Sequence, residues 1–174
     1  MDNTTALTFT MTAYTAMGNY KNGLFTVFLL LYCIIIILNS LLITVIYQNK
    51  ALHQPMNLFS CMLSMNEIYG STSLFPAIMF VLMSETHEIV VKWCMAQVYF
   101  LHTYASAEFT ILAVMGYDRY VAICFPLHYY SIMSHSKIGK LVALAGLYPL
   151  IVFGCFYSLT LQLSFKVFYM KLKS

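Results

Sequence analysis

Charge is what this sequence has least of. Only 9% of its 174 residues are charged and 61% are hydrophobic, with a mean hydropathy of +0.77. A soluble domain carries about a quarter charged residues, so the polar surface needed to face water is missing and the medium that fits is a bilayer. There is one arginine, Arg119, and one tryptophan, Trp93; the net charge of +3 is spread along the chain without a basic run. That excludes a nucleic-acid footprint. The five cysteines (Cys33, Cys61, Cys94, Cys124, Cys155) make no C-x-x-C pair and no zinc spacing, which speaks against a metal site. Cys33, Cys61 and Cys155 fall inside apolar stretches, where a thiol serves as a small packing group. Ten-residue alternation, the mark of a membrane β-barrel, is absent. So are a nucleophile–base pair, a phosphate loop and a metal motif, and the chain is not expected to be an enzyme.

What is present is four apolar stretches, at 24–47, 58–83, 95–117 and 141–163. About 20 helical residues cross a hydrocarbon core, so each is expected to be a transmembrane helix. The fold class is therefore an all-α membrane protein of one domain, with a polar tail at 1–23 and a second tail at 164–174. The first residues, "MDNTTALTFT", lack the basic start of a cleaved signal peptide, so the first span is expected to act as a signal anchor. Lys50, Arg119, Lys137 and Lys140 lie on one side of this topology, against Lys21 and Lys92 on the other. The positive-inside rule then puts the amino terminus outside and the Asp118–Arg119 end inside. An outside tail makes Asn3, in Asn3-Thr4-Thr5, a usable glycosylation acceptor. Lys166, Lys171 and Lys173 break the rule, which makes 164–174 atypical.

Acids and bases in such segments carry the chemistry. Asp118 and Arg119 close the third span, where an arginine can anchor at the interface or be held by Asp118 as a releasable switch. Glu67 and Glu108 each lie in mid-span. Either a cation or water sits between them, or one is protonated, or the two do not face each other.

The letters around Arg119 decide more. "MGYDRYVAICFPLHYYSIM" resembles the odorant-receptor signature "MAYDRYVAICxPLxYxxIM" of the rhodopsin-like G-protein-coupled receptors. Met115, residues 117–124, Pro126, Leu127, Tyr129, Ile132 and Met133 all match. "LHQPMNLFSCMLSMNE" at 52–67 is similar to that family's "LHxPMYxFLxxLSxxD", with Glu67 in place of Asp, and Asn39 falls where the family has its first-span asparagine. The resemblance covers about residues 20–163 and implies that the four helices are the first four of a seven-helix bundle.

It also implies roles. Asp118, Arg119 and Tyr120 correspond to the G-protein switch. Val98, Leu101, His102, Ala105 and Ser106, at helical spacing on the third span, correspond to an odorant-facing wall, with His102 equally readable as a packing residue. Asn39, Glu67 and Glu108 correspond to a polar core, with a sodium ion near Glu67 as its occupant. Cys94 corresponds to a cysteine that staples the third span to a later outside loop; only Cys124 and Cys155 follow it, so it is expected to be unpaired. Gly146 stands near the family's fourth-span tryptophan, which should leave a cavity or a weaker contact. The partners implied are a small organic odorant, a heterotrimeric G protein, membrane lipid and further receptor copies. The location implied is the plasma membrane. Spans five to seven do not follow, so the expectation is a truncated receptor that would couple only if completed, with a non-signalling fragment retained in the endoplasmic reticulum as the alternative. An unrelated four-span channel would suit Glu67 and Glu108 but not the two motifs.

Overall fold

The computed structural model describes residues 8–10, 20–49, 54–84 and 88–173. Four long helices carry the chain: α1 (Lys21–Gln48), α2 (Pro55–Met83), α3 (Val91–Cys124) and α4 (His135–Lys173). A 3-10 turn, Pro126–His128, and a single helical turn, Tyr129–Ile132, join α3 to α4. Two three-residue strands, β1 (Thr8–Thr10) and β2 (Glu88–Val90), pair antiparallel with Phe9 opposite Ile89. The strands are an addition to the all-helical expectation. Their pairing ties the amino-terminal tail to the loop before α3, the two segments that the charge count puts on one side of the membrane.

Backbone groups in hydrocarbon must find partners within their own segment, and uninterrupted helices achieve this. Their polar side chains follow the same rule. Thr26, Thr44, Ser60, Ser73, Thr103 and Thr160 each donate to the carbonyl four residues earlier, at 2.8 to 3.1 Å. α2 opens on Pro55, where the missing N–H costs nothing, and holds a second proline at Pro76. By length and composition α1, Trp93–Cys124 of α3 and His135–Thr160 of α4 can each cross a membrane. The chain is a multi-pass integral membrane protein. α2 has the length, 29 residues, but Ser60, Ser64, Asn66, Glu67, Ser71, Thr72 and Ser73 dilute its hydropathy.

All four helices exceed the stretches read from hydropathy. α3 continues to Cys124, so Asp118, Arg119 and Tyr120 lie within the helix and not past its end. α4 starts at His135 and its backbone stays helical to Lys173, through the 164–174 tail. Asn3 lies outside the described residues.

The chain forms two compact units, residues 1–104 and 105–174. In the first, α1 meets α2 through Phe28 and Tyr32, whose rings lie 6.1 and 6.0 Å from that of Phe75, and through the Tyr32 hydroxyl 3.3 Å from Thr72 Oγ1. Phe59 and Leu82 are its most enclosed apolar side chains. In the second, Ala107, Ile111, Val114 and Val121 of α3 form a buried stripe at helical spacing, completed by Met133, Ile138 and Ala145. Thr110 Oγ1 bonds the Ala145 carbonyl across the two helices at 3.0 Å.

Candidate functional site

Asp118 occupies the same buried stripe of α3, in register with Val114 and Val121, and is only 2% exposed. A carboxylate so enclosed needs a donor. Tyr129, in the helical turn after α3, supplies it: its hydroxyl donates to Asp118 Oδ1 at 2.7 Å. This corrects the expectation that Asp118 holds Arg119. Neighbouring residues on a helix point about 100° apart, so a buried Asp118 turns Arg119 outward. Arg119 is exposed accordingly, as is Tyr120, whose ring meets Phe125 edge-on at 6.0 Å. Burial, then the bond to Asp118, pushes the Tyr129 hydroxyl up to about 12. The phenol therefore stays a donor throughout the physiological range.

A second tie closes the same end. Lys137 Nζ donates to the Tyr117 hydroxyl and stands 4.8 Å from the centre of that ring. The Lys137 backbone N–H in turn reaches Ser134 Oγ at 3.4 Å, a cap on the first turn of α4. Tyr129 and Lys137 thus hold the loop between α3 and α4 against α3. Sequence reading placed Tyr129 in the motif but missed its role, and gave Tyr117 and Lys137 no joint role.

In the first unit Glu67 faces α3. The Tyr104 hydroxyl donates to both its oxygens, at 3.3 and 3.4 Å, and Asn66 Nδ2 donates to the Tyr104 carbonyl at 3.1 Å. Gly70 completes the clasp. A Cβ there would run into the Tyr104 ring, so only glycine lets α2 and α3 approach this closely. Tyr104 is thus the hydrogen-bond partner of the α2 acid. Asn39 spends its amide on the Ile35 carbonyl of its own helix, 2.9 Å away. Glu108 belongs to the second unit. Among the described residues no group of three or more His, Cys, Asp or Glu is placed to hold a metal ion.

The wall expected to face an odorant lines neither the cavity between α2 and α3 nor the hollow between α3 and α4. Val98 and His102 are exposed, with His102 Nδ1 2.8 Å from the Val98 carbonyl; Leu101 is half-buried; Ala105 is exposed and Ser106 half-buried. The large cavity of the first unit, about 1040 Å³, is walled by the neighbouring face of α3, with Trp93, Ala96, Gln97 and Phe100, and by α2. In the second unit a 300 Å³ hollow lies between α3 and α4, beside Thr110, Tyr117, Ala145 and Tyr148. Gly146 is not on its wall, and a Cβ there would meet nothing within 4 Å. All five cysteines are free thiols, Cys94 half-buried among them.

The olfactory receptor family model matches residues 28–169. The chain belongs to the olfactory receptor family. It is 38% identical to human olfactory receptor 10R2 over 82% of its length and 43% of that receptor's. Mouse olfactory receptor 4B13 is 40% identical over 68% of the chain and 39% of the receptor, and mouse olfactory receptor 1M1 is 34% identical over 91% and 49%. The chain thus spans less than half the length of these curated relatives. They are named as receptors, in keeping with a sequence that carries no catalytic constellation.

Proposed function

We propose that the chain serves odorant detection: a small organic molecule is sensed on the α3 face of Val98, Leu101, His102, Ala105 and Ser106, and the Asp118–Arg119–Tyr120 segment passes the signal to a heterotrimeric G protein. The observation that carries this reading is the division of labour at the end of α3. Asp118 is buried and engaged by Tyr129, while Arg119 beside it is exposed and presented. A guanidinium held out in this way is suited to a partner's carbonyls and carboxylates. The Asp118–Tyr129 bond is the element whose making or breaking would move the loop that Lys137 also pins.

The same reading makes Glu67 a candidate sodium ligand, because its carboxylate and the Tyr104 hydroxyl offer the oxygen donors that hard cations take. It puts the protein in the plasma membrane, among lipid and further receptor copies, with a glycan on Asn3. In cells supplied with an olfactory G protein, cAMP should rise for at least one odorant of a broad panel and stay flat for Arg119→Ala at equal surface staining. A flat wild-type response at full surface expression would sink the proposal. A glycan that stays sensitive to endoglycosidase H would instead mark retention in the endoplasmic reticulum.

A further inference from the structure

The start of α4 carries two lysines that no carboxylate balances among the described residues. No acidic residue follows Asp118 in the chain, and Asp118 itself is buried and bonded to Tyr129. Lys137 sets its ammonium against the hydroxyl and ring of Tyr117. Lys140, one turn further along α4, is exposed and has no hydrogen-bond or ion-pair partner among the described residues. The Tyr117 hydroxyl accepts from Lys137, so its own proton finds no acceptor among those residues. Two ammonium groups and a phenol O–H are thus available as donors. The same residues border an apolar hollow. Tyr117, Ala113, Leu144 and Tyr148 help line the 300 Å³ space between α3 and α4, and Thr110, further along α3, spends its hydroxyl on the Ala145 carbonyl. Lys137, Lys140, Leu144 and Tyr148 follow one another at helical spacing, so the lysines continue the lining face of α4 towards the start of the helix. From Tyr117 to Thr110 the hollow extends about 10 Å along α3, at 1.5 Å per residue.

We propose that the α3–α4 hollow and the lysines at its mouth form a site for an anionic glycerophospholipid whose head is a phosphate monoester. One acyl chain lies along Ala113, Leu144 and Tyr148, and the phosphate accepts from Lys137, Lys140 and the Tyr117 hydroxyl. A serine head adds an ammonium for which this end of the unit has no open carboxylate, and a choline head cancels the charge. Free phosphate supplies the head without the chain. Arg119 is two residues, about 200°, around α3 from Tyr117, so the site is separate from the segment assigned to the G protein and stands without that reading.

Native mass spectrometry of the chain released from phosphatidylcholine nanodiscs, doped with graded phosphatidic acid or phosphatidylserine, counts the lipid retained. One saturable phosphatidic acid per chain is expected, held several-fold better than phosphatidylserine and not displaced by an equal concentration of glycerol 3-phosphate. Lys140→Gln should weaken retention about fivefold, the worth of one lysine at an anionic surface, and Arg119→Gln should leave it unchanged. Ala113→Phe, which fills the hollow and removes no charge, should weaken it at least as much with unchanged helical circular dichroism. Within the bilayer, phosphatidic acid should slow amide exchange across 133–140 in the wild type and not in Lys140→Gln. Equal retention of the two anionic lipids, or an equal loss for Arg119→Gln, would show general attraction between basic residues and an anionic surface and overturn the proposal. Retention untouched by Ala113→Phe, displacement by glycerol 3-phosphate, or no retained lipid at all would overturn it too.

Discussion

The two units of the chain each hold an acid by a tyrosine, in different ways. Asp118 is almost wholly enclosed and takes one short bond, 2.7 Å, from a tyrosine eleven residues further along the chain. Glu67 is half-buried and shares one hydroxyl between both oxygens at 3.3 and 3.4 Å, from a tyrosine 37 residues away on another helix. The first pair is set by local chain geometry, because the 3-10 turn at Pro126–His128 returns Tyr129 to the buried stripe of α3. The second is set by helix packing, because Tyr104 reaches Glu67 only by lying over Gly70. The lesson is that steric fit, more than the hydrogen bond, secures the Glu67 pair, whereas the hydrogen bond itself secures the Asp118 pair.

That contrast predicts where each pair breaks. The largest loss should come from Gly70→Val. Overpacking a close contact costs about 1–3 kcal/mol, and here the obstacle is a ring that cannot retreat without leaving Glu67, so about 3 kcal/mol is expected. Unfolding in mixed micelles would measure it, and a loss under 1 kcal/mol would show that α2 and α3 separate freely. Next is Tyr129→Phe, which leaves a buried carboxylate without its donor. A hydrogen bond to a charged group contributes about 1.5–3 kcal/mol, so about 2 kcal/mol should go. The pH dependence has a definite sign. The folded tyrosine loses its proton at about 12 and the unfolded one at its ordinary 10, so its contribution is complete below pH 10 and fades as pH climbs towards 12. Stability of the wild type should therefore fall faster than that of Tyr129→Phe across that window.

These two residues also show what the sequence could reveal. The apolar stretches and the family motifs follow from composition and residue order, which are local properties. Tyr129 was visible as a motif letter, yet its bond to Asp118 depends on how a turn folds back, which no spacing rule states. Gly70 carries no signature, since a glycine inside an apolar helix does not announce which ring it admits. The rotation of α3 is hidden in the sequence for a related reason. Val98 and Gln97 are adjacent, so a rotation of α3 of about 100° decides which one faces α2, and that rotation is set by packing against α2. The lengths of the helices ran beyond the hydropathy windows because hydrogen bonding continues past the last apolar residue.

A smaller change sharpens the comparison from the other side. Tyr104→Phe removes the long, shared bond to Glu67 but keeps the ring over Gly70. If packing dominates, the loss should be about 0.5–1 kcal/mol, the low side for a hydrogen bond stretched to 3.3 and 3.4 Å, and well below that of Tyr129→Phe. Equal losses at the two tyrosines would erase the distinction between the two pairs. Sodium adds a second reading of the same pair: if the ion uses Glu67, it should raise the midpoint of wild type and of Tyr104→Phe but not of Glu67→Gln.

The smallest effect is expected at Lys137→Met, which keeps the aliphatic stem and removes the ammonium from Tyr117. Exposed charge contacts and cation–π pairs contribute about 0.5–1 kcal/mol, so global stability should shift by less than 1 kcal/mol. The local effect should be larger than the global one. With Tyr129 still bonded to Asp118, the loop would remain attached at one of its two ties, and amide exchange across 133–138 should quicken several-fold while exchange across 110–118 stays unchanged. Quickening that extended into α3 would mean that Lys137 and Tyr129 act as one clasp, and that the grip on Asp118 is not secured by the Tyr129 bond alone.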